Sequence, residues 1–152
     1  MKGPIKLGVV GCGYWGPNLV RNFKSLPDCK TKMMCDVNAQ RLKHLKTLYP
    51  EVEGTLDFEH MLNGAQLDAV VIATCVKHHH AMAKASLVAG KHTFIEKPMA
   101  ASSEECEELI RYYLEHDRQR EAIAKAGQER TLREHTYYQR MQELIEIVGK
   151  YL

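Results

Sequence analysis

Residues 9–18 read VVGCGYWGPN, with glycines at 11, 13 and 16. The spacing is G-x-G-x-x-G. It follows the apolar run IKLGVV (5–10), which fits a buried parallel strand, and it opens GPNLVRNFKSL, whose Leu19, Val20 and Phe23 recur at helical spacing. Pro17 suits a first helical turn. In a strand–turn–helix context each glycine has a separate reason. Gly11 permits the tight turn, Gly13 lets a pyrophosphate approach the backbone, and Gly16 lets the helix pack close to the strand. The free N–H groups of the helix start would face phosphate. The competing reading is a glycine-rich turn with no ligand.

The rest of the first hundred residues extends this beginning. TKMMCD (31–36) reads as a second strand and NAQRLKHLKTLY (38–49) as a helix with Leu42, Leu45 and Leu48. A short strand and FEHML (58–62), a short helix, precede LDAVVIAT (67–74), whose β-branched run is the clearest strand. HHAMAKASLVAG (79–90) is a helix closed by Gly90, and KHTFIEK (91–97) a last strand. The alternation predicts an α/β fold, a doubly wound parallel sheet of Rossmann type.

Composition changes after Pro98. No strand candidate follows Ser102, so the sheet is expected to be truncated and followed by an all-helical tail. The expected division is residues 1–111 and 112–152. Ser102 and Glu105 form a capping box, with Cys106, Leu109, Ile110, Tyr113 and Leu114 on one helix face. Asp117 would cap the next helix and Gly127 would end it. Thr136 and Gln139 form another capping box ahead of the apolar stripe Met141, Leu144, Ile145 and Val148, and Gly149 fits a stop. Such narrow apolar faces need something to pack on.

The bulk numbers exclude several classes. The chain has 152 residues, enough for an ordinary domain that buries about 70% of its unfolded surface. A net charge of +2 gives no ground for nucleic acid or an anionic membrane as partner. No apolar run approaches the roughly 20 residues of a membrane helix. Five scattered cysteines without a C-x-x-C argue against a disulfide framework or a zinc site and fit a reducing cytosol.

Three further features bear on chemistry. Asp36 ends the second strand 20 residues after Gly16, where an acid accepts hydrogen bonds from the adenosine ribose and repels a 2′-phosphate. That favours NAD over NADP. Arg41 could accommodate a phosphate, but reads better as a solvated helix residue, and Asp36 itself could be a plain strand-end turn residue. ATCVKHHH (73–80) lies at the carboxyl end of the clearest strand, where Thr74 and His79 could line a cofactor crevice. Consecutive histidines do not converge on one helix face, so no metal site is expected. FIEKP (94–98) places Lys97 at a strand end, where it could polarise a substrate hydroxyl or contact the nicotinamide ribose. Glu96 would point the opposite way, and Pro98 could set a fixed turn. An exposed Lys-Pro turn is the plainer alternative.

GVVGCGYWGPNLVRNF, CDVNAQRL, LDAVVIAT, His79 and AGKHTFIEKPMA, in this order and spacing, resemble the Gfo/Idh/MocA oxidoreductases over roughly residues 4–110. The glycine loop is similar to that of members acting on nucleotide-linked amino sugars. The resemblance implies that Gly11, Tyr14, Trp15, Asp36, Thr74, His79, Glu96 and Lys97 are NAD-site positions and that Lys97 is the catalytic-site lysine. It implies hydride exchange between a sugar carbon and nicotinamide. The sequence departs from the family at Cys75, where Pro is common, and in the extra histidines. The substrate domain that would follow E-K-P is replaced from about Tyr112 by helices that resemble the C-termini of some bacterial glycosyltransferases, as a fusion, a recombined reading frame or a chimera would give. The expectation is a chain that binds NAD but does not turn over alone. The alternative is a non-catalytic assembly module, a homo-oligomer or a binder of a helical partner through the tail.

Overall fold

Apolar residues in β1 (Ile5–Val10) alternate between two packing faces, and the neighbouring strands repeat the pattern. Val10, Met33, Val70 and Ile72 belong to one cluster, and Val9, Met34 and Val71 to the other. This period of two follows from strand geometry and gives a sheet buried on both faces. The other strands are β2 (Cys29–Cys35), β3 (Glu53–Thr55), β4 (Ala69–Ile72) and β5 (His92–Ile95). All pairings are parallel, in the order β3-β2-β1-β4-β5. The computed structural model describes residues 3–64, 66–134 and 136–150.

Helices α1 (Gly16–Lys24) and α2 (Ala39–Leu48) cover one face through Val20, Leu42 and Leu45. Helices α3 (Phe58–Gly64), α4 (His79–Val88) and α5 (Ser103–Glu115) cover the other through Met61, Leu62, Ala83 and Leu109. A fully buried side chain of this kind contributes roughly 1.5–3 kcal/mol. The chain moves outward from β1 to β2 and β3, then crosses back to β4 on the other side. The connections leaving β1 and β4 therefore diverge, and a crevice opens at their carboxyl ends.

The expected doubly wound sheet and helical continuation are both present. Local chemistry accounts for the element ends. Asn38 caps α2 by accepting from the N–H groups of Gln40 and Arg41. Gly90, at φ +70°, closes α4 as its N–H and that of Lys91 donate to Leu87 and Ser86 carbonyls. Ser102 Oγ accepts from Glu105 N–H, while the Glu105 carboxylate reaches Ala101 N–H instead of closing the box on Ser102.

The chain divides into two compact units, residues 1–109 and 110–152, with the division inside α5. On that helix Leu109 is buried and Leu114 is 52% exposed, and the Tyr113 side chain lies outside the described residues. The second unit continues with α6 (Asp117–Glu134) and α7 (Tyr137–Gly149). Gly127 does not end α6, contrary to the sequence expectation. An interior glycine costs about 1 kcal/mol, and the helix formers on both sides outweigh it. Asp117 lies in the first turn of α6 and pairs with Arg120 at 2.7 Å. Thr136 and Gln139 form the expected reciprocal capping box, and α7 stops at Gly149. Met141, Leu144, Ile145 and Val148 on α7 are all exposed.

Candidate functional site

The loop between β1 and α1 is shaped by two contacts that only glycine permits. Gly11 has φ +92°, and a Cβ there would lie 2.6 Å from the Ala73 carbonyl carbon and oxygen at the end of β4. A Cβ on Gly16 would lie 2.1 Å from the Gly11 carbonyl oxygen. Gly13 differs. Its nearest protein neighbour would be Arg41 Nη1 at 3.7 Å, an ordinary contact, and its φ is not positive. The protein's own packing therefore requires Gly11 and Gly16 but leaves room for a side chain at Gly13. The bare face of Gly13 lines the crevice.

Trp15 occupies the N-cap of α1 without a side-chain cap bond, so the first-turn N–H groups are not capped from the side. Tyr14 and Trp15 pack edge to face at 5.4 Å and line the same crevice, at 84% and 49% exposure. Such exposure of two large aromatics beside a cavity suits a ligand surface.

Asp36 leaves β2 as a buried carboxylate. Its Oδ2 accepts from Cys12 N–H at 2.7 Å and its Oδ1 from Asn38 N–H at 2.8 Å. It thus ties the glycine loop to the start of α2, and each oxygen keeps a further lone pair for another donor. Arg41 Nη1 stands 3.7 Å from Oδ2. Arg41 lines the crevice, so it is not simply the solvated helix residue its sequence position suggested. Burial, reinforced by the Asp36 carboxylate, pushes the Cys12 thiol up to about 12. The same two causes push Cys35 up to about 11. Both thiols are held neutral at ordinary pH.

The crevice has a volume of about 450 Å³ and is lined by Gly11, Gly13, Tyr14, Trp15, Asp36 and Thr74 among the expected residues. Val37, Arg41, Leu56, Phe58, Cys75, His78 and Met82 also line it. Leu56 follows β3 and Phe58 opens α3, so their signal was position just beyond a strand's carboxyl end. Gly16 is buried beneath the loop. His79 does not reach the crevice surface. It is 1% exposed, with Nδ1 2.8 Å from the Pro98 carbonyl oxygen and Nε2 2.9 Å from that of Thr74. Glu96 and Lys97 follow β5 and are not among the lining residues. Glu96 N–H donates to Ile72, Lys97 is exposed, and the Lys97–Pro98 bond is cis. A larger hollow of about 670 Å³ lies at the amino ends of β1, β4 and β5. It has neither a glycine loop nor a helix start aimed into it, and open α/β sheets bind ligands at the opposite end.

A glycine loop, an acid at the end of the second strand and a crevice at the switch point define a dinucleotide-binding Rossmann domain. The chain belongs to the Gfo/Idh/MocA oxidoreductase family with the NAD-binding Rossmann fold, whose family model matches residues 5–123. The family's cofactor class is NAD. Among curated relatives it is 31% identical over 115 residues to glycosyl hydrolase family 109 protein 2 of Shewanella sp. (strain ANA-3), covering 70% of this chain and 25% of that protein. Among solved structures it is similar to scyllo-inositol dehydrogenase from Lactobacillus casei with bound NAD(H) and scyllo-inositol. There the TM-score is 0.69 at 29% identity, covering 76% of this chain and 34% of the other. It is also similar to the WlbA dehydrogenase from Bordetella pertussis in complex with NADH and UDP-GlcNAcA, with a TM-score of 0.67 at 28% identity, covering 71% and 33%. The chain thus spans about a quarter to a third of the length of these relatives.

Among the described residues no helix is long and apolar enough to cross a membrane.

Proposed function

We propose that this chain binds NAD(H) in the crevice at the carboxyl ends of β1 and β4, and that these 152 residues do not sustain turnover by themselves. The observation that carries the reading is Gly13. Its missing side chain has no reason within the protein, and it lines the same crevice as Asp36 and Trp15. The pyrophosphate would pass over Gly13 toward the N–H groups of residues 13–16, those of Gly11 and Cys12 being taken by Cys35 and Asp36. Asp36 would accept from the adenosine ribose with its remaining lone pairs, Tyr14 and Trp15 would cover the cofactor, and Thr74 would line its nicotinamide end. By the family resemblance Glu96 and Lys97 would face the nicotinamide end, whereas His79, enclosed between the Thr74 and Pro98 carbonyls, would serve that end only through its neighbours.

When bound, NAD supplies a carbon that accepts or returns hydride. Lys97 is the candidate catalytic residue, an exposed amine that would exchange a proton with a substrate hydroxyl. The substrate class is a sugar or nucleotide sugar. Hydride transfer also needs the substrate carbon held close to the nicotinamide. No second sheet is found among the described residues to do this, so positioning groups would have to come from outside this stretch of chain. Titration with NADH, followed by its fluorescence and by melting temperature, tests the binding. A saturable change supports it, and no change in either signal refutes it. Sustained NADH production by the purified chain from UDP-N-acetylglucosamine and NAD would refute the second half of the proposal.

One observation favours a second reading, an assembly role for the tail. The α7 stripe of Met141, Leu144, Ile145 and Val148 is 46–69% exposed, an apolar helix face without cover. A stable homo- or hetero-complex lost on deletion of residues 112–152 would support that role.

A further inference from the structure

One edge of the sheet is β5, which pairs with β4 and, among the described residues, with no other strand. The N–H groups of His92 and Glu96 donate to the Asp68 and Ile72 carbonyls on the β4 side. Successive backbone groups along a strand point to alternate sides, so those of Thr93 and Ile95 point outward. Neither of these N–H groups has an acceptor among the described residues. The side chains alternate as well. Ile95 packs toward Met61, Ala83 and Leu109 on one face of the sheet. His92, Phe94 and Glu96 share the other face, where Phe94 meets Phe23 of α1 edge to face at 6.3 Å and stays 48% exposed.

Open edges are ordinarily blunted by shortness, charge or proline. The opposite edge, β3, follows that rule with Glu53, Gly54 and Thr55 and no large apolar side chain. In contrast, β5 sets a large aromatic beside two outward-facing backbone units, and its sequence is self-complementary. Consider two β5 strands paired antiparallel about a twofold axis at Phe94. Thr93 then faces the partner's Ile95, and Ile95 the partner's Thr93. These are the residues whose N–H and C=O point outward, so each pair exchanges both of its hydrogen bonds. Among twofold registers this one alone pairs both outward residues with each other inside β5. Phe94 meets its own copy in the closer, non-hydrogen-bonded position, as an aromatic pair. His92 meets the partner's Glu96 on the same face, a donor opposite a carboxylate. Lys97 falls opposite the partner's Lys91, an ammonium turned back onto the Leu67 carbonyl of its own chain at 2.9 Å.

We propose that the β5 edge is a docking surface for a second copy of this chain, joining two sheets into one across a twofold axis. Each copy offers the same patch, so the contact closes on itself and gives a dimer, not a fibre. It needs no ligand in the crevice and is independent of the NAD(H) reading.

The test begins with sedimentation equilibrium of the full chain. So short an edge makes an interface at the weak end, so loading should reach about 0.5 mM. The expected result is a mass that rises with concentration toward twice that of one chain. The Thr93 and Ile95 amides should slow in hydrogen exchange as the dimer fills. A chain that stays monomeric overturns the proposal and leaves the edge to some other strand. A dimer in which both amides still exchange freely is held elsewhere, and also overturns it. Phe94→Lys and Phe94→Glu supply a second arm, because residue 94 would face its own copy. Each variant alone sets like charges across the axis and should weaken self-association by about tenfold. An equimolar mixture of the two should restore it. A mixture that associates no more tightly than either variant alone overturns the proposal. If either variant does not fold, amide exchange in the unmodified chain still decides.

Discussion

Replacing Gly13 with alanine should separate ligand binding from folding. The new Cβ would meet only the flexible end of Arg41, 3.7 Å away, and the backbone there has no positive φ. Glycine-to-alanine changes at compatible positions stabilise by about 0.4–1 kcal/mol through the unfolded state. The melting temperature of Gly13→Ala should therefore hold or rise by a few degrees. The same methyl would stand where the pyrophosphate approaches the loop. Displacing it removes at least one charged hydrogen bond, about 1.5–3 kcal/mol, or roughly 10- to 150-fold in Kd. Gly16→Ala is the contrasting variant. Its Cβ would fall 2.1 Å from a backbone oxygen, so the loop must move. It should lose about 1–3 kcal/mol of stability or more. The assay pairs calorimetric NADH titration with thermal unfolding of both variants. A Gly13→Ala chain that binds NADH as tightly as the parent would refute the reasoning, because the open face would then have no ligand to serve.

Three other outcomes follow from the same geometry. Asp36→Ala leaves the buried Cys12 N–H without its acceptor and should cost about 1–3 kcal/mol in urea unfolding, along with a weaker NADH signal. Arg41→Ala leaves the Asp36 charge without its neighbour, and comparative titration should show NADPH binding weakened about fivefold more than NADH, the scale of an exposed ion pair. For Cys12 and Cys35 the folded value lies above the ordinary 9.0, so their contribution to stability is complete below pH 9. It is lost as pH rises toward 11–12, because the unfolded chain gives up these protons first. Urea unfolding between pH 8 and 11 should show that decline, and it should be shallower in a Cys12→Ala, Cys35→Ala double variant.

The parts of the site legible in the sequence rest on local rules. The glycine loop, the strand before it and Asp36 at the end of β2 each follow from a short stretch whose chemistry is self-contained. The capping boxes differ in outcome for the same reason. Thr136 and Gln139 close theirs within four residues, whereas Glu105 finds Ala101 N–H as an alternative. Gly127 lies inside α6 because glycine's modest cost in a helix is set against the formers around it, which a single residue does not reveal. The remaining features depend on distant chain. Arg41 comes to the crevice because α2 starts beside the glycine loop. Leu56 and Phe58 join it because a three-residue strand, β3, ends there. His79 lay at a strand end and read as a cofactor contact. Its burial depends on Pro98, 19 residues away, folding over it.

A crystal structure of the chain with NADH would test the central claim most directly. The account predicts the pyrophosphate over Gly13, the adenosine ribose on Asp36 and the nicotinamide toward Thr74, with His79 still enclosed between the Thr74 and Pro98 carbonyls. A dinucleotide bound elsewhere, or no dinucleotide at saturating NADH, would contradict it.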